Sequence, residues 1–346
     1  MKRILSLNIA LALTLSLIAG CSGGNKSNGQ TTAPAPDKTA ASTGKLVLKF
    51  ATTDEDNGVD HIITQQFKQR LVELSGGKMD VDLFMAGQMG DEKQALELMK
   101  MGELDVGYNA IQGDLYYKDL SAISIPFVFP DVDAMDRFMA GPVGDKIKQA
   151  LLEKGGVRYE GMFDFGARYF TSNKPFKTPA EMKGIKIRLP QIQSWIDIFK
   201  EIGAAPTPIA ATEIVTALKT GTVDGQENFL SNIAGRQMWE YQKYLIATKH
   251  VSLPQTWLVS EKAFQKLSAD QKQWLEQAIK EAIAFERPQV EQLNAGFIKQ
   301  CTDKGMTLIE PDRAAFVKAA QPAIDKSLKG MAPGVQEAAQ AAIKGK

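Results

Sequence analysis

Two arginines beside predicted strands are the residues of this chain best placed to bind a small anion. Arg188 ends the strand-like segment 184–189, just before Pro190, and Arg168 follows the strand-like segment 157–165. A strand end in an open α/β sheet faces the crevice where such sheets bind ligands, and a guanidinium can pair with both oxygens of a carboxylate. The pattern therefore indicates carboxylate binding. The alternative for each arginine is a solvated surface charge or an internal ion pair.

Patterns typical of catalysis or metal binding are scarce. The chain has two histidines, His61 and His250, which lie far apart and in no metal-ligand spacing, so we expect structural or loop roles for both. There is no Gly-x-Ser-x-Gly elbow, no phosphate-binding glycine loop and no Cys-x-x-Cys motif. The acidic pairs Asp54–Glu55 and Asp91–Glu92 fall at turns or helix starts, where capping explains them. We predict no enzyme activity, no cofactor and no metal, although an exported enzyme on the same scaffold is an alternative.

The elements that must position the arginines alternate between strand and helix. Apolar spacing predicts a strand at 45–51, a helix that stops at Gly76-Gly77, a strand at 79–85, a helix between Asp91 and Gly102, and a strand at 105–108. This order predicts a parallel α/β sheet, because parallel strands need crossover helices.

A second series of elements begins near Gly156 and predicts a second α/β lobe. It includes a short helix at 212–220, with Thr212 as its N-cap. A long helix follows, and Ser268 with Gln271 forms a capping box at its start. We expect this helix to pack outside one lobe or to span both.

The N-terminus has the order of a secretory signal: positive charge, an apolar run over residues 4–19, and then small residues before Cys21. The segment Leu17-Ile18-Ala19-Gly20-Cys21 resembles a bacterial lipobox, in which the thiol takes a diacylglycerol. We predict a lipoprotein signal peptide at 1–20 and a flexible tether at 21–44 that starts from lipidated Cys21. The protein would then be anchored in the periplasm or on the outer face of the cytoplasmic membrane. An ordinary signal peptide, with Cys21 incidental, is the alternative.

Composition limits the remaining possibilities. A chain of 346 residues predicts about two domains. With 41 basic and 40 acidic residues it has no overall field that would attract nucleic acid, so we expect no such partner. If Cys21 is lipidated, Cys301 has no partner for a disulfide within the chain.

Several segments resemble the substrate-binding proteins of tripartite ATP-independent periplasmic (TRAP) transporters, DctP type. They occur in one order along the chain: FMAGQMGD at 84–91, TPAEMKGIKIRLP at 178–190, GAAPTP at 203–208, TALKTGTVDGQEN at 216–228, YQKYL at 241–245 and TKH at 248–250. A single short motif can match by accident, but an ordered series is far more specific.

The resemblance implies a two-lobed, periplasmic-binding-protein-like α/β fold with a ligand cleft between the lobes and a long C-terminal helix. Residues 45–155 would form mostly the N-lobe and 156–255 mostly the C-lobe, with C-terminal helices from 256–346 packing across both. The implied function is capture of a small organic acid for delivery to the membrane subunits of a TRAP transporter. The alternative is a ligand-sensing receptor for a chemoreceptor or sensor kinase, without transport.

The resemblance also assigns roles to single residues. Arg188 corresponds to the arginine that pairs with the ligand carboxylate, Arg168 to one that gives a second polar contact, and Asn228 to a ligand-contacting asparagine. Three more candidates lie beside Arg188 or close the first-lobe strand: Gln191, Tyr108 and Asn109.

The resemblance has one departure. Family members that bind sugar acids often have an aromatic residue where this chain has Ala211, although Phe229 can replace part of the lost apolar wall. The identity of the acid therefore stays open.

Overall fold

The computed structural model describes residues 44–110 and 118–344. Cys21 and positions 22–43 of the predicted tether lie outside the described residues, as does the side chain of Asn109. Within the described ranges no helix combines the length and apolar character needed to cross a membrane.

A five-stranded sheet forms the core of the first lobe, in the order β2-β1-β3-β10-β4. Strand β1 pairs in parallel with β2 and β3, whereas β10 runs antiparallel to both β3 and β4. The parallel pairing predicted from the segments of β1, β2 and β3 is confirmed, and β10 and β4 add antiparallel pairs to it. The strands are β1 Leu46–Ala51, β2 Met79–Phe84, β3 Val106–Ala110, β4 Val157–Phe163 and β10 Gln255–Ser260.

Helices α1 (Gly58–Leu74) and α2 (Glu92–Met101) connect the parallel strands. Asp91 caps α2 in a capping box with Gln94, and Gly102 ends it in the left-handed conformation that glycine adopts without steric cost. The predicted limits of this helix are confirmed. Helices α3 (Val132–Ala140) and α4 (Pro142–Ala150) complete the lobe before β4.

The second lobe contains a six-stranded sheet in the order β11-β9-β5-β8-β6-β7. Strand β6 pairs in parallel with β7 and β8, while β5 is antiparallel to β8 and β9. The strands are β5 Tyr169–Ser172, β6 Lys186–Leu189, β7 Ala205–Pro208, β8 Gly225–Asn228, β9 Tyr244–Ile246 and β11 Thr307–Ile309. Its helices are α5 Gln193–Ile202, α6 Ile214–Lys219 and α7 Leu230–Gly235.

The start of α6 differs from the prediction. Thr212 lies inside a 3-10 turn, Ala211–Glu213, and no side-chain cap bond opens the α-helix itself. Thr212 is therefore not its N-cap.

The path of the chain also differs from the predicted division at residue 156. Strand β4 belongs to the first sheet because β10 pairs with it, so the chain crosses between the sheets after β4 and returns after β9. A third crossing leads from β10 to β11. The first two crossing segments, 164–168 and 247–254, contact each other. Ala167 bridges Ser252, and the Arg168 N–H donates to the Val251 carbonyl over 2.9 Å. These paired segments connect the two sheets.

The C-terminal helices pack on both lobes. Helix α9 (Ala269–Glu286) starts at the predicted capping box of Ser268 and Gln271, which is confirmed, and packs against α1 and β4. Helix α10 (Val290–Asp303) packs against α7 of the second lobe. Of the remaining helices, α8 (Glu261–Lys266) contacts α2, α11 (Arg313–Lys329) contacts α5, and α12 (Val335–Ile343) contacts α3.

Candidate functional site

A cavity lies between the two lobes. Side chains that follow β1 or begin α2 and β10 line it from the first lobe, and side chains of the crossing segment, β6, β8 and α7 line it from the second. Its polar lining consists of Thr53, Asp54, Glu92, Arg168, Arg188, Asn228, Asn232, Arg236 and Gln255.

Arg188 is buried without an acidic partner. Its side chain comes from β6, is 2% exposed, and donates from Nε to the Ile209 carbonyl over 2.8 Å. Within residues 44–110 and 118–344 no carboxylate forms an ion pair with it. Burial lowers the pKa of Arg188 to about 10, so the guanidinium stays charged at neutral pH. The remaining N–H groups of this charged fork are suited to an incoming carboxylate.

Arg168 is equally buried but already has an internal partner. Its Nε donates to Glu227 Oε2 over 2.5 Å and its Nη2 to Glu227 Oε1 over 3.0 Å. The guanidinium lies 4.3 Å from the centre of the Phe229 ring. Among the described residues Nη1 has no hydrogen-bond acceptor, so one edge of the fork is free for a ligand.

His250 completes this buried ion pair. Its Nε2 lies 3.1 Å from Glu227 Oε2 and its Nδ1 lies 2.8 Å from Thr248 Oγ1. Burial alone would raise the pKa of Glu227, but Arg168 and His250 outweigh it and hold the pKa at about 2. Burial also lowers the pKa of His250. His250 thus has the structural role predicted for it, and His61 lies at the surface beside Asp56.

Asn228 lines the cavity, and its amide nitrogen is available as a donor. Its side-chain oxygen accepts from the Phe229 N–H over 2.9 Å and from Asn232 Nδ2 over 3.3 Å. No described acceptor takes a hydrogen bond from its amide nitrogen, and the residue is 4% exposed. Asn228 can therefore donate to a ligand while its own orientation is fixed.

Asp54 is a buried residue of the cavity that was not among the predicted site residues. It is 6% exposed, and its carboxylate accepts from Asn232 Nδ2 and Gln255 Nε2, each over 2.6 Å. Burial raises its pKa. Its position just past the carboxyl end of a parallel strand was a usable signal, since ligands bind there in open α/β sheets.

Arg236 was also missed, and it joins the two lobes beside the cavity. Its Nε donates to Glu55 over 3.0 Å, its Nη2 to the Thr53 carbonyl over 2.9 Å, and its Nη1 to the Ala211 carbonyl over 3.0 Å. The position follows α7, and nothing in the local pattern distinguishes it from a surface arginine.

The other predicted site residues lie elsewhere. Tyr108 is buried, donates its hydroxyl to Asp60 over 2.6 Å, and packs edge-on against Phe163 at 4.8 Å, so it does not line the cavity. Asn109 lies in β3, with its side chain outside the described part. Gln191 is exposed in a small adjoining pocket that also includes Arg188 and Glu92.

No group of histidine, cysteine, aspartate and glutamate side chains in the described ranges could hold a metal ion. Cys301 is a buried free thiol, and burial raises its pKa to about 11. A thiol of this kind is unreactive, because the thiolate is the nucleophile.

Comparison with protein families gives a match over residues 50–330 to DctP, the bacterial extracellular solute-binding proteins of family 7. The chain belongs to this family. A solute-binding protein of Roseobacter denitrificans is 31% identical over 288 residues, covering 82% of this receptor and 88% of the relative. The C4-dicarboxylate-binding periplasmic protein DctP of Vibrio cholerae is 30% identical over 305 residues, covering 86% and 91% respectively.

Solved structures match the receptor over most of its length. A TRAP periplasmic solute-binding protein of Roseobacter denitrificans with bound L-galactonate has a TM-score of 0.81 at 29% identity, covering 87% of the receptor and 99% of that chain. One from Shewanella oneidensis with bound succinate also has a TM-score of 0.81, at 25% identity, covering 87% and 100%. The predicted family, the two-lobed fold with its long C-terminal helix, and the function of an extracytoplasmic solute receptor are confirmed.

Proposed function

We propose that the receptor captures a small organic acid between its lobes, with Arg188 as the carboxylate anchor, and delivers it to the membrane subunits of a TRAP transporter. One observation carries the assignment of the anchor: Arg188 is 2% exposed and charged, yet has no acidic partner among the described residues. The Glu227 and Glu92 carboxylates favour its charged form without pairing with it. A direct partner matters for a buried charge, since removing one partner of a buried ion pair costs about 3 to 5 kcal/mol. A ligand carboxylate would supply that partner.

The relatives support the chemical class of the ligand. Galactonate and succinate, named in the two matched structures, differ in size and hydroxyl content but both carry a carboxylate. A shared carboxylate is what an arginine fork recognises.

Arg168 and Asn228 have a secondary role in this proposal. Arg168 is held rigid by Glu227 and keeps Nη1 for the ligand, while Asn228 offers its amide nitrogen. Because both groups are fixed before binding, little entropy is lost when they contact the ligand. They would orient the part of the acid beyond the anchored carboxylate. Gln191 would lie at the margin of the site, beside Arg188.

The proposal includes attachment to the membrane through Cys21. The signal-like order of residues 1–20 and the lipobox-like segment ending at Cys21 support it. Labelling cells with an alkyne fatty acid tests this point. Wild-type protein should carry the label and Cys21→Ala should not. Equal labelling of the two would contradict the anchor.

A thermal-shift screen of the purified receptor against organic acids, each with its amide or methyl ester, tests the proposed ligand class. A ligand at 100 times its dissociation constant should stabilise the folded state by about 2.7 kcal/mol. We expect a shift with at least one acid and none with its neutral derivative. Equal shifts for an acid and its ester would show that the carboxylate is not the recognised group. Release of a chemically altered product would instead establish an enzyme.

A further inference from the structure

The first-lobe wall of the cavity presents hydrogen-bond acceptors. Asp54 follows β1, Glu92 begins α2 and Gln255 begins β10, and all three line the cavity. The second lobe contributes the donors Arg188 and Asn228 to the same cavity. The two lobes therefore contribute different chemical groups to the cavity lining.

Asp54 has room for one more hydrogen bond. Its Oδ2 accepts from Gln255 Nε2 over 2.6 Å and from Thr52 Oγ1 over 3.1 Å, whereas Oδ1 accepts from Asn232 Nδ2 alone over 2.6 Å. A carboxylate can accept about four hydrogen bonds, two on each oxygen. Since every described partner donates to it, the hydrogen bonds favour the ionised form, although burial raises its pKa.

Gln255 provides an independent observation. The residue is 1% exposed, and its amide nitrogen is fixed by the bond to Asp54. Its Oε1 is buried and accepts no hydrogen bond from any described group. A buried acceptor without a donor is costly, and a ligand that brings a donor removes that cost.

Arg188 alone would bind any carboxylic acid equally, so these acceptors can make the receptor selective among acids. A second carboxylate that reached Asp54 and Gln255 would place like charge beside Asp54, and it has no proton for Gln255 Oε1. A purely aliphatic acid would leave Gln255 without a donor. An acid with hydroxyl or ammonium groups away from its carboxylate would satisfy both walls.

We propose that Asp54 and Gln255 form a subsite for hydrogen-bond donors of the ligand, so that the receptor prefers hydroxylated or amino monocarboxylates over dicarboxylates. Asp54 is the specificity-determining residue. This inference rests on the proposed function, in which Arg188 holds the carboxylate.

Isothermal titration calorimetry on the wild-type receptor tests the preference with matched carbon skeletons. The C4 set is erythronate, 4-aminobutyrate, butyrate and succinate, and the C6 set is gluconate, 6-aminohexanoate, hexanoate and adipate. We expect the best hydroxy or amino acid to bind at least about tenfold more tightly than the dicarboxylate and the plain acid of its set. Comparing the hydroxy acid with the amino acid of each set shows whether Asp54 and Gln255 prefer a hydroxyl or an ammonium donor.

The variant Asp54→Asn tests the assigned residue. Losing the charge should weaken binding of the preferred acid and relieve the repulsion of the dicarboxylate, so that their affinity ratio falls by about tenfold. Asp60→Asn is the matched control, because Asp60 is also a buried first-lobe carboxylate but does not line the cavity. It should leave the ratio unchanged.

The outcomes distinguish this inference from the proposed function. If a dicarboxylate binds as tightly as the hydroxy and amino acids of its set, and binding depends on Arg188, the inference is wrong while the proposed function stands. The same holds if Asp54→Asn folds and leaves the ratio unchanged. Absence of binding by all eight acids counts against both.

Discussion

The Arg168 and Arg188 sites of the second lobe are buried to a similar extent but differ in their partners. Arg168 gives two N–H groups to Glu227, whereas Arg188 gives one to the neutral Ile209 carbonyl. Breaking a buried ion pair is costly, so the first arrangement holds the folded protein together. The second arrangement leaves the charge of Arg188 to be paired by a ligand carboxylate. Burial and charge alone therefore do not identify a ligand anchor, and the partner decides.

The strongest test of this contrast is Glu227→Gln. It leaves Arg168 buried without its anionic partner, so the free energy of unfolding should fall by about 3 to 5 kcal/mol. Urea unfolding of the ligand-free protein measures the change. Glu240→Gln replaces an exposed acid of the same lobe and should have almost no effect. A loss below about 1 kcal/mol for Glu227→Gln would show that the pair is not structural.

Arg188→Ala should have the opposite profile. Binding of the acid found by screening should weaken by about 2 to 5 kcal/mol, or roughly thirtyfold to several-thousandfold. The ligand-free protein should lose less stability than Glu227→Gln does, because no buried ion pair is broken. Lys186→Ala, an exposed cation on the same strand, serves as the control in calorimetry. Binding of the acid within a few-fold of wild type would exclude Arg188 as the anchor.

Acidification should remove the stability that the ion pair between Glu227 and Arg168 contributes. The pKa of Glu227 in the folded state is about 2, below its ordinary value of 4.5, so its contribution is complete above pH 4.5 and is lost as the pH falls toward 2. The difference in unfolding free energy between wild type and Glu227→Gln should therefore narrow by up to about 3 kcal/mol over that range. Urea unfolding at pH 7, 4.5 and 3 measures it. A difference that stays constant with pH would contradict the ionised pair.

The smallest expected effect concerns a buried polar pair outside the cavity. Tyr108→Phe removes the hydrogen bond to Asp60 and should cost about 1 to 3 kcal/mol of stability. Ligand affinity should change less than about twofold, because Tyr108 does not line the cavity. If the binding free energy fell by more than the free energy of unfolding, Tyr108 would have to be counted among the ligand-binding residues.

Local patterns predicted much of the secondary structure. The capping box at Ser268 and the glycine end at Gly102 depend on residues three or four apart, so the sequence contains the whole signal. Arg188 could be predicted as a site residue for a similar reason, since alternation and a strand end are local features.

The remaining errors come from contacts between distant residues. Arg168 meets Glu227 because β5 pairs with β8, and Asp54 is buried because Asn232 and Gln255 approach it across the chain. The sheet membership of β4 depends on β10 in the same way. No periodicity or spacing encodes such pairings.

The return of β10 to the first sheet has a consequence for how the receptor is made. During synthesis the first sheet has no strand between β3 and β4 until residues 255–260 emerge, long after the second lobe has begun. Neither lobe is one continuous stretch of chain, so a fragment cut at the predicted boundary lacks part of its own sheet. We therefore expect the two lobes to mature together, with slow closure of distant strand pairs limiting the rate.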